Sequence, residues 1–370
     1  MKKFLYILWS IAFVLLGVYF ILIFFSKYSR KIFTSRKIYR VNLIDGSDGS
    51  DHIIIPVTIK NVEYPFAFDT GSTLNLIDSV LAEKLGLTAH DKVIKTIERF
   101  TETDATTDSI AYTNVKCSLG NLRTSGVFYI NNNNFIHIQE CGPIIGMEII
   151  NRFNWLFNFE DNTVTISKGE IKIQKLPDDQ ILTIDYFCDK FGITSMNLTI
   201  DNVIIQNVIF DTGFGRKNVK LLNKSKNLDI VFSKNYLNTL ASLNKHPTLC
   251  IPSVIGNMFI LDSMQINGFT MQGVLALNHN DFTESIITAH FIRRFRLMYY
   301  DSTNRKIQLY VSPSDSVLHN RRDLQLFYRS FFRFNEENKS IDYPKQSIPS
   351  EVTDLLLNDT VLINKIQINK

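Results

Sequence analysis

Two aspartates stand in the same local sequence, 142 positions apart (211 − 69). Asp69 lies in the segment 66–71, Phe-Ala-Phe-Asp-Thr-Gly, and Asp211 lies in 208–213, Val-Ile-Phe-Asp-Thr-Gly. An apolar run that reaches one acid and then Thr-Gly predicts a strand followed by a tight turn, which would hold the carboxylate rigidly. Two carboxylates that meet cannot both ionise easily. A pair that shares one proton is suited to general acid–base catalysis.

The similarity between the two segments extends beyond the tripeptide Asp-Thr-Gly. The same offset of 142 aligns residues 143–153 with 285–295, and an offset of 141 aligns 58–62 with 199–203. The change of offset predicts one extra residue in the second copy before its aspartate. Three blocks in one order at nearly one spacing indicate an internal duplication.

On these motifs the chain resembles the aspartic proteases over roughly residues 50–312. It looks most like the retroviral-type (retropepsin-like) members, but with both halves fused in one chain as in the pepsin-like enzymes. The family pattern is two apolar residues and Asp-Thr-Gly, followed much later by two apolar residues, a Gly and a helix. The first half fits this pattern fully. The second half departs from it twice, because Phe214 stands in place of Ser72 and Thr288 in place of Gly146.

The resemblance implies a mostly β, bilobal fold with pseudo-two-fold symmetry, in which Asp69 and Asp211 form a catalytic dyad. The dyad would activate a water that adds to a peptide carbonyl, so the implied substrate is a polypeptide. It needs no metal, no cofactor and no second copy of the chain. The implied supporting residues are Thr70, Gly71, Ser72, Thr212 and Gly213.

Each supporting residue has an implied contact. The hydroxyls of Thr70 and Thr212 would bond to the backbone of the opposite lobe. The two glycines would bring backbone N–H groups to the carboxylates. The Ser72 hydroxyl would bond the outer oxygen of Asp69, which Phe214 cannot do for Asp211.

Other interpretations of the motifs stay open. A single Asp-Thr-Gly often only makes a turn, but two copies, each with its apolar downstream pair, favour the protease fold. Fold does not imply activity, and Thr288 adds bulk where the fold favours Gly. The alternative function is therefore a catalytically inactive protein that binds peptides. A purely structural anchor protein would leave the two preserved aspartates unexplained.

An apolar segment near the start predicts a membrane anchor. Residues 4–25 are mostly apolar and uncharged, which is long enough for one transmembrane helix. A cleaved signal peptide is the alternative, but its apolar core would be shorter and no small-x-small cleavage site follows. The basic residues after the segment favour a cytoplasmic protease domain. Large domains are also translocated despite such charges, so the side of the membrane stays open.

Charge and cysteine patterns exclude other classes of function. Residues 1–40 hold eight Lys and Arg and no acid, so the remaining residues hold 32 basic and 36 acidic side chains, a net charge of −4. Nucleic-acid binding therefore has no electrostatic support. The four cysteines form no CxxC pair, and there is no HExxH, so a zinc site is not expected.

Local patterns predict several elements and the domain boundaries. Residues 52–60 and 62–68 predict a hairpin, and 78–86 predict a short helix capped by Asp78 and ended by Gly86. Residues 98–111 are either a flap over the substrate, as the resemblance implies, or a plain surface loop. The expected domains are 1–40 (anchor and basic flank), 41–51 (linker), 52–176 (N-terminal lobe), 177–312 (C-terminal lobe) and 313–370 (an extension, with a faint resemblance to a PDZ hairpin at 355–364).

Overall fold

The computed structural model describes residues 39–43, 52–88, 93–97, 106–131, 142–190, 192–214, 228–234, 236, 249–253, 256–280, 282–311, 333–335 and 340–342. This part of the chain is mostly β, as predicted, with short helices α1 (Ser79–Lys84), α2 (Met147–Ile150) and α3 (Ala289–Arg293). None of its helices is long and apolar enough to cross a bilayer. The predicted anchor, 4–25, lies outside the described residues, as does the hairpin at 355–364.

The strands fall into two similar series along the chain. The first series is β1 (Tyr39–Asn42), β2 (Ile54–Ile59), β3 (Val62–Phe68), β4 (Asn75–Asp78), β5 (Val93–Ile97), β6 (Thr106–Leu119), β7 (Leu122–Asn131), β8 (Ile144–Ile145), β9 (Asn154–Asn158) and β10 (Thr163–Ser167). The second series is β11 (Gln180–Asp185), β12 (Phe187–Cys188), β13 (Thr194–Ile200), β14 (Val203–Phe210), β15 (Ile230–Phe232), β16 (Leu249–Ser253), β17 (Gly256–Ile266), β18 (Phe269–His279), β19 (Ile286–Ile287), β20 (Leu297–Asp301) and β21 (Lys306–Val311). A separate hairpin joins β22 (Arg333–Asn335) to β23 (Ser340–Asp342).

Each series forms a sheet around one Asp-Thr-Gly segment. The N-terminal sheet has the order β2-β3-β8-β4-β7-β6-β5, and the C-terminal sheet has the order β12-β13-β14-β19-β15-β18-β17-β16. In both, the strand before the aspartate runs parallel to a two-residue strand: β3 beside β8, and β14 beside β19. The two copies of the sequence repeat thus have the same strand neighbours. We call residues 52–167 the N-terminal half and 180–311 the C-terminal half.

A third sheet takes strands from both halves, together with β1, which precedes the N-terminal half, and we call it the shared sheet. Its order is β1-β10-β9-β20-β21-β11, with β9 and β20 paired antiparallel where the halves meet. Trp155 and Phe157 of β9 are fully buried, and both rings lie 4.9 Å from the ring of Phe68. The residue before Asp69 therefore packs directly on the shared sheet.

Strand β1 differs from the sequence prediction, which placed Tyr39–Asn42 in a basic flank and a linker. In the structure this segment pairs with β10 at the edge of the shared sheet. Tyr39 and Val41 alternate with polar residues and pack against the core, and Leu43 is buried. Two apolar side chains at a spacing of two are a short signal, which the neighbouring run of Lys and Arg obscured.

The extra residue predicted before the second aspartate is confirmed as a β-bulge. Pairing between β2 and β3 is regular, whereas the register of β13 on β14 shifts by one residue after Met196. Asn207 occupies the bulge with φ +56°, and its N–H donates to the Asn197 side chain at 3.1 Å. Asn tolerates this left-handed conformation better than most residues. The bulge absorbs the insertion and leaves Phe210 in register beside β19.

Several local predictions agree with the structure. The hairpin at 52–68 forms β2 and β3, and helix α1 begins after Asp78, whose carboxylate accepts the Leu81 N–H at 2.7 Å. Gly86 follows α1 with φ +55°. Strands β5 and β6 form a hairpin at the place predicted for a flap. Its tip, 98–105, lies outside the described residues, so the flap stays a prediction.

Candidate active site

Each aspartate lies directly after a strand of its own sheet. Asp69 follows β3, and its N–H donates to the Ile145 carbonyl at 3.0 Å. Asp211 follows β14, and its N–H donates to the Ile287 carbonyl, also at 3.0 Å. The short strands β8 and β19 therefore fix the backbone at both aspartates in the same way.

The two carboxyl groups meet across the boundary between the halves. A side-chain hydrogen bond joins the two carboxyl groups. Each also lies against the glycine of the other motif. A Cβ atom on Gly71 would stand 2.4 Å from Asp211 Cγ, and one on Gly213 would stand 2.2 Å from Asp69 Cγ. Glycine is required at both positions because no side chain fits there.

The threonines of the two motifs exchange hydrogen bonds. The Thr70 hydroxyl donates to the Phe210 carbonyl, and the Thr212 hydroxyl donates to the Phe68 carbonyl. The Thr70 N–H donates to Thr212 Oγ1 at 3.0 Å, and the Thr212 N–H donates to Thr70 Oγ1 at 3.1 Å. Both threonines are fully buried. These four bonds tie the end of β3 to the end of β14 in a reciprocal arrangement.

Backbone N–H groups bind both carboxylates. Gly71 N–H donates to Asp69 Oδ1 at 2.8 Å, and Gly213 N–H donates to Asp211 Oδ1 at 2.8 Å. The Phe214 N–H adds a bond to Asp211 Oδ1 at 2.9 Å. The peptide group at position 214 therefore supplies a donor to Asp211, although its side chain has no hydroxyl.

Ser72 differs from its sequence-based expectation. Its hydroxyl donates to the Leu74 carbonyl at 2.9 Å instead of to Asp69. The Ser72 backbone N–H is the group that lies near the Asp69 carboxylate. The Ser72 carbonyl also accepts the Met147 N–H at 2.8 Å, so this residue closes the turn against α2. The Ser72 hydroxyl therefore donates its hydrogen bond within the local turn, and not to Asp69 as the resemblance implied.

Burial raises the pKa of both aspartates. Asp69 has its pKa raised to about 6 by burial, although the hydrogen bonds with Asp211, Gly71 and Ser72 lower it. The pKa of Asp211 is also raised well above its usual value, first by burial and then by the charge of Asp69 and the hydrogen bond with Asp69. Such a pair holds one proton between two carboxyl groups over a range of pH, and it titrates as a unit.

Thr288, which replaces the expected Gly, fits its site. A Cβ atom on Gly146 would lie 2.3 Å from the Leu74 carbonyl oxygen, so the N-terminal half has no room for a side chain there. In the C-terminal half the Thr288 hydroxyl donates to the Leu228 carbonyl and lies 3.1 Å from the Asp229 carbonyl. Thr288 Oγ1 also accepts the Phe291 N–H at 3.4 Å and caps α3. Thr288 is buried and its hydroxyl is hydrogen-bonded, so the C-terminal half has a place for this side chain.

Other long-range contacts around the two halves were missed from the sequence. The Thr194 N–H donates to the Thr70 carbonyl at 3.3 Å, and the Thr194 hydroxyl lies 2.8 Å from the Tyr300 hydroxyl. The Arg293 side chain donates to the His52 carbonyl at 2.7 Å. The Thr194–Thr70 and Arg293–His52 contacts join the two halves, whereas Thr194 and Tyr300 belong to the same half. No local motif marks these contacts, because their partners are more than 100 residues apart in the chain.

The described residues offer no group of three or more His, Cys, Asp and Glu that would hold a metal ion. Cys117 and Cys188 have free thiols, and burial raises the pKa of the Cys117 thiol to about 11. Neither thiol contacts the dyad in the hydrogen bonds described.

A comparison with protein families agrees with this geometry. The model of the aspartyl protease family matches residues 55–148, which are 94 of the 370 residues. This segment contains Asp69 and Gly146 and ends before Asp211. The match supports an aspartic protease family for the chain. No curated protein matches the chain significantly.

Proposed function

We propose that this protein is a membrane-anchored aspartic endopeptidase of the retropepsin-like type, with both lobes in one chain. The observation that carries the proposal is the reciprocal packing of Asp69 and Asp211. Their carboxyl groups meet, each against the glycine of the other motif, and the dyad holds a proton at raised pKa. Because one chain supplies both aspartates, the active site does not need a dimer.

The dyad supplies an acid and a base to the same peptide bond. Neither role is fixed to one residue, because the dyad titrates as a pair. With the proton on Asp211, the ionised Asp69 takes a proton from a water held between the carboxyl groups. The water oxygen then forms a bond to the carbonyl carbon of the substrate. Asp211 donates its proton to the carbonyl oxygen, which gives a tetrahedral diol with no covalent bond to the protein.

Collapse of the diol completes hydrolysis and restores the dyad. The proton on Asp69 passes to the peptide nitrogen, and the C–N bond breaks to release the amine. One diol hydroxyl returns its proton to Asp211 as the carboxylic acid product forms. The N–H groups of Gly71, Gly213 and Phe214 hold the carboxylates in place throughout, since these bonds come from rigid turns.

Cleavage of a diverse peptide library by the full-length chain tests this function. We expect cleavage by the wild type between acidic and neutral pH, and none by Asp69→Asn or Asp211→Asn. Asp185→Asn is the matched control, because Asp185 is 82% exposed and pairs only loosely with Lys306 at 3.7 Å. A folded wild type that binds peptides but cleaves none would instead identify a peptide-binding protein.

The membrane anchor is a second part of the proposal, and it rests on the apolar segment 4–25. A helix of that length would hold the protein in a bilayer by one pass. We expect the full-length chain to stay in the membrane fraction after alkaline carbonate extraction, and a variant that lacks residues 1–25 to be released. Release of both would contradict the anchor without affecting the proposed catalysis.

A further inference from the structure

In the N-terminal half, one carboxylate ties α2 to the neighbouring strands. Glu148 accepts the Val127 N–H at 3.2 Å and the Asn75 side-chain amide at 2.7 Å. Glu148 also pairs with Arg152 at 2.8 Å. Asn75 Oδ1 in turn accepts the Gly146 N–H at 3.0 Å. The position of Gly146 is thus fixed through Asn75 and Glu148.

The C-terminal half has neither of these two side chains. The offset of 142 places His290 at the position of Glu148. The strand pairings place Ile230 at the position of Asn75, the residue before Leu76. Leu76 lies opposite Ile144 of β8, and Val231 lies opposite Ile286 of β19, which is 142 positions after Ile144. A different group must therefore hold Thr288, the counterpart of Gly146.

Asp229 provides the missing carboxylate from another element. Its Oδ2 accepts the Leu275 N–H at 2.8 Å. Leu275 is the counterpart of Val127, because it precedes Ala276, which lies opposite Ile230, as Val127 precedes Phe128, which lies opposite Asn75. The same oxygen accepts a hydrogen bond from Arg294 at 2.9 Å, and Arg294 is the counterpart of Arg152. His290 Nε2 lies 3.9 Å from the other carboxylate oxygen. Asp229 and Glu148 thus lie at different positions of the repeat, but each carboxylate binds the equivalent N–H group and the equivalent arginine.

The replacement pair is far more buried than the original. The side chains of Asp229 and Arg294 are 2% and 7% exposed, compared with 33% and 41% for Glu148 and Arg152. A buried charge that loses its partner destabilises its surroundings much more than a surface charge does. Asp229 and Arg294 therefore constrain their neighbours more strongly than Glu148 and Arg152 do.

A short chain of backbone contacts links Asp229 to the dyad. The Asp229 carbonyl accepts the Thr288 N–H at 3.1 Å. The residue before Thr288, Ile287, accepts the Asp211 N–H, and the residue after it, Ala289, donates to the Phe214 carbonyl at 3.0 Å. Thr288 is thus bracketed by two bonds to the turn that carries Asp211.

We propose that Asp229, paired with Arg294, is a positioning residue that sets the turn of Asp211 through Thr288. It takes over in the C-terminal half the role that Asn75 and Glu148 have in the N-terminal half. The inference rests on the proposed function for its effect on catalysis. Its effect on the Asp211 turn is independent of that function.

Asp229→Asn in the full-length chain tests the proposal, because it keeps the size of the side chain and removes the charge opposite Arg294. We expect kcat to fall about 100-fold, since a displaced catalytic group loses about that much, with KM changed less than about threefold. We also expect faster amide hydrogen exchange in residues 208–214 and unchanged exchange in 66–72. Asp185→Asn is the control and should match the wild type in all three measurements.

A rescue variant separates positioning from a general loss of stability. Asp229→Leu combined with Ile230→Asn, Thr288→Gly and His290→Glu installs the side chains of the N-terminal half. We expect this variant to recover kcat to within about tenfold of the wild type, because the lost charge returns at the position of Glu148. The kcat of Asp229→Leu alone should stay low.

The outcomes distinguish this inference from the proposed function. Folded Asp229→Asn with wild-type kcat and wild-type exchange in 208–214 would overturn the inference. If Asp229→Asn does not fold, Thr288→Val and Thr288→Ser take its place. Only Thr288→Ser keeps the hydroxyl. Equal amide hydrogen exchange of residues 208–214 in the two variants would also overturn the inference. If the wild type cleaves no peptide, the proposed function fails, and the exchange measurement still decides the role of Asp229.

Discussion

The hydroxyl oxygens of Thr70 and Thr212 lie 3.3 Å apart, and each hydroxyl donates to the backbone of the opposite half. Each oxygen also accepts an N–H from the other threonine. The turn that carries one aspartate is therefore held by the turn that carries the other. This arrangement explains how two separate sheets present their carboxyl groups at one point.

Thr212→Val should destabilise the protein, because it leaves the Phe68 carbonyl and the Thr70 N–H buried without their partner. Each unsatisfied buried group costs about 1–3 kcal/mol, so we expect a free energy of unfolding lower by about 2–6 kcal/mol. Denaturant unfolding measures this change. Thr212→Ser should lose much less, and the exposed Thr199→Val should lose little. Equal losses in Thr212→Val and Thr212→Ser would contradict the account.

Gly71→Ala should abolish activity, because the new Cβ atom would stand 2.4 Å from Asp211 Cγ. Separating the carboxyl groups by even 1 Å costs about 100-fold in rate, so we expect at least that loss in kcat/KM. Gly142→Ala is the matched control. It places a side chain at φ +71° but meets nothing within 4 Å, so it should cost only about 1–2 kcal/mol of stability. Comparable activity in the two variants would rule out the packing described for Gly71.

The pH profile of cleavage should have its acid limb near pH 6. Catalysis needs one ionised and one protonated carboxyl group, and burial raises the pKa of Asp69 to about 6. Below that pH both groups carry a proton and the base is lost, so kcat/KM should fall about tenfold per pH unit. Steady-state kinetics from pH 3 to pH 8 would measure this. Activity that keeps rising to pH 3 would show that the dyad ionises more easily than its burial implies.

Asp211→Asn should make the protein more stable at neutral pH. The folded protein keeps protons on the dyad to a higher pH than the unfolded chain, so wild-type stability falls as the pH rises from about 4 through about 6. Asp211→Asn has no ionisable group at this position, so it does not undergo the part of this loss of stability that comes from Asp211. We expect it to be more stable than the wild type at pH 7, where the wild type has lost this contribution, and equal to the wild type near pH 3.

Urea unfolding at pH 3, pH 5 and pH 7 checks that expectation. Asp185→Asn, an exposed carboxylate outside the site, serves as the control and should follow the wild type at each pH. If Asp211→Asn were less stable than the wild type at pH 7, the interactions of the Asp211 carboxyl group would stabilise the folded protein by more than its burial destabilises it.

The parts of the fold that sequence reasoning predicted are those with a local or repeated signal. The apolar alternation before Asp69 fixed β3, and the side chain of Asp78 marked the start of α1. The change of offset from 142 to 141 located an insertion, which the structure shows as the bulge at Asn207. A repeat compares the chain with itself, so it reveals small differences between two equivalent strands.

The remaining parts depend on partners far away in the chain. Nothing beside Asp229 indicates that it meets Arg294, because the carboxylate moved to a position that the repeat does not align. The sequence carries one signal for this pair. Arg294 aligns with Arg152, whose partner Glu148 is replaced by His290, so Arg294 needs an acidic partner from elsewhere. The Ser72 hydroxyl was misassigned because its turn offers the nearer Leu74 carbonyl as an acceptor. Competition between two acceptors is decided by backbone geometry, which a motif does not give.

The shared sheet has a consequence for either half made alone. Strands β9 and β20 pair through residues 155–158 and 297–300, and the seam includes the buried side chains of Trp155 and Tyr300. A separated half would expose one of these strands as a bare, aromatic edge, which is a template for pairing with other chains. Such a fragment would tend to associate with copies of itself or to aggregate. The covalent joining of the halves thus also protects the protein against wrong assembly.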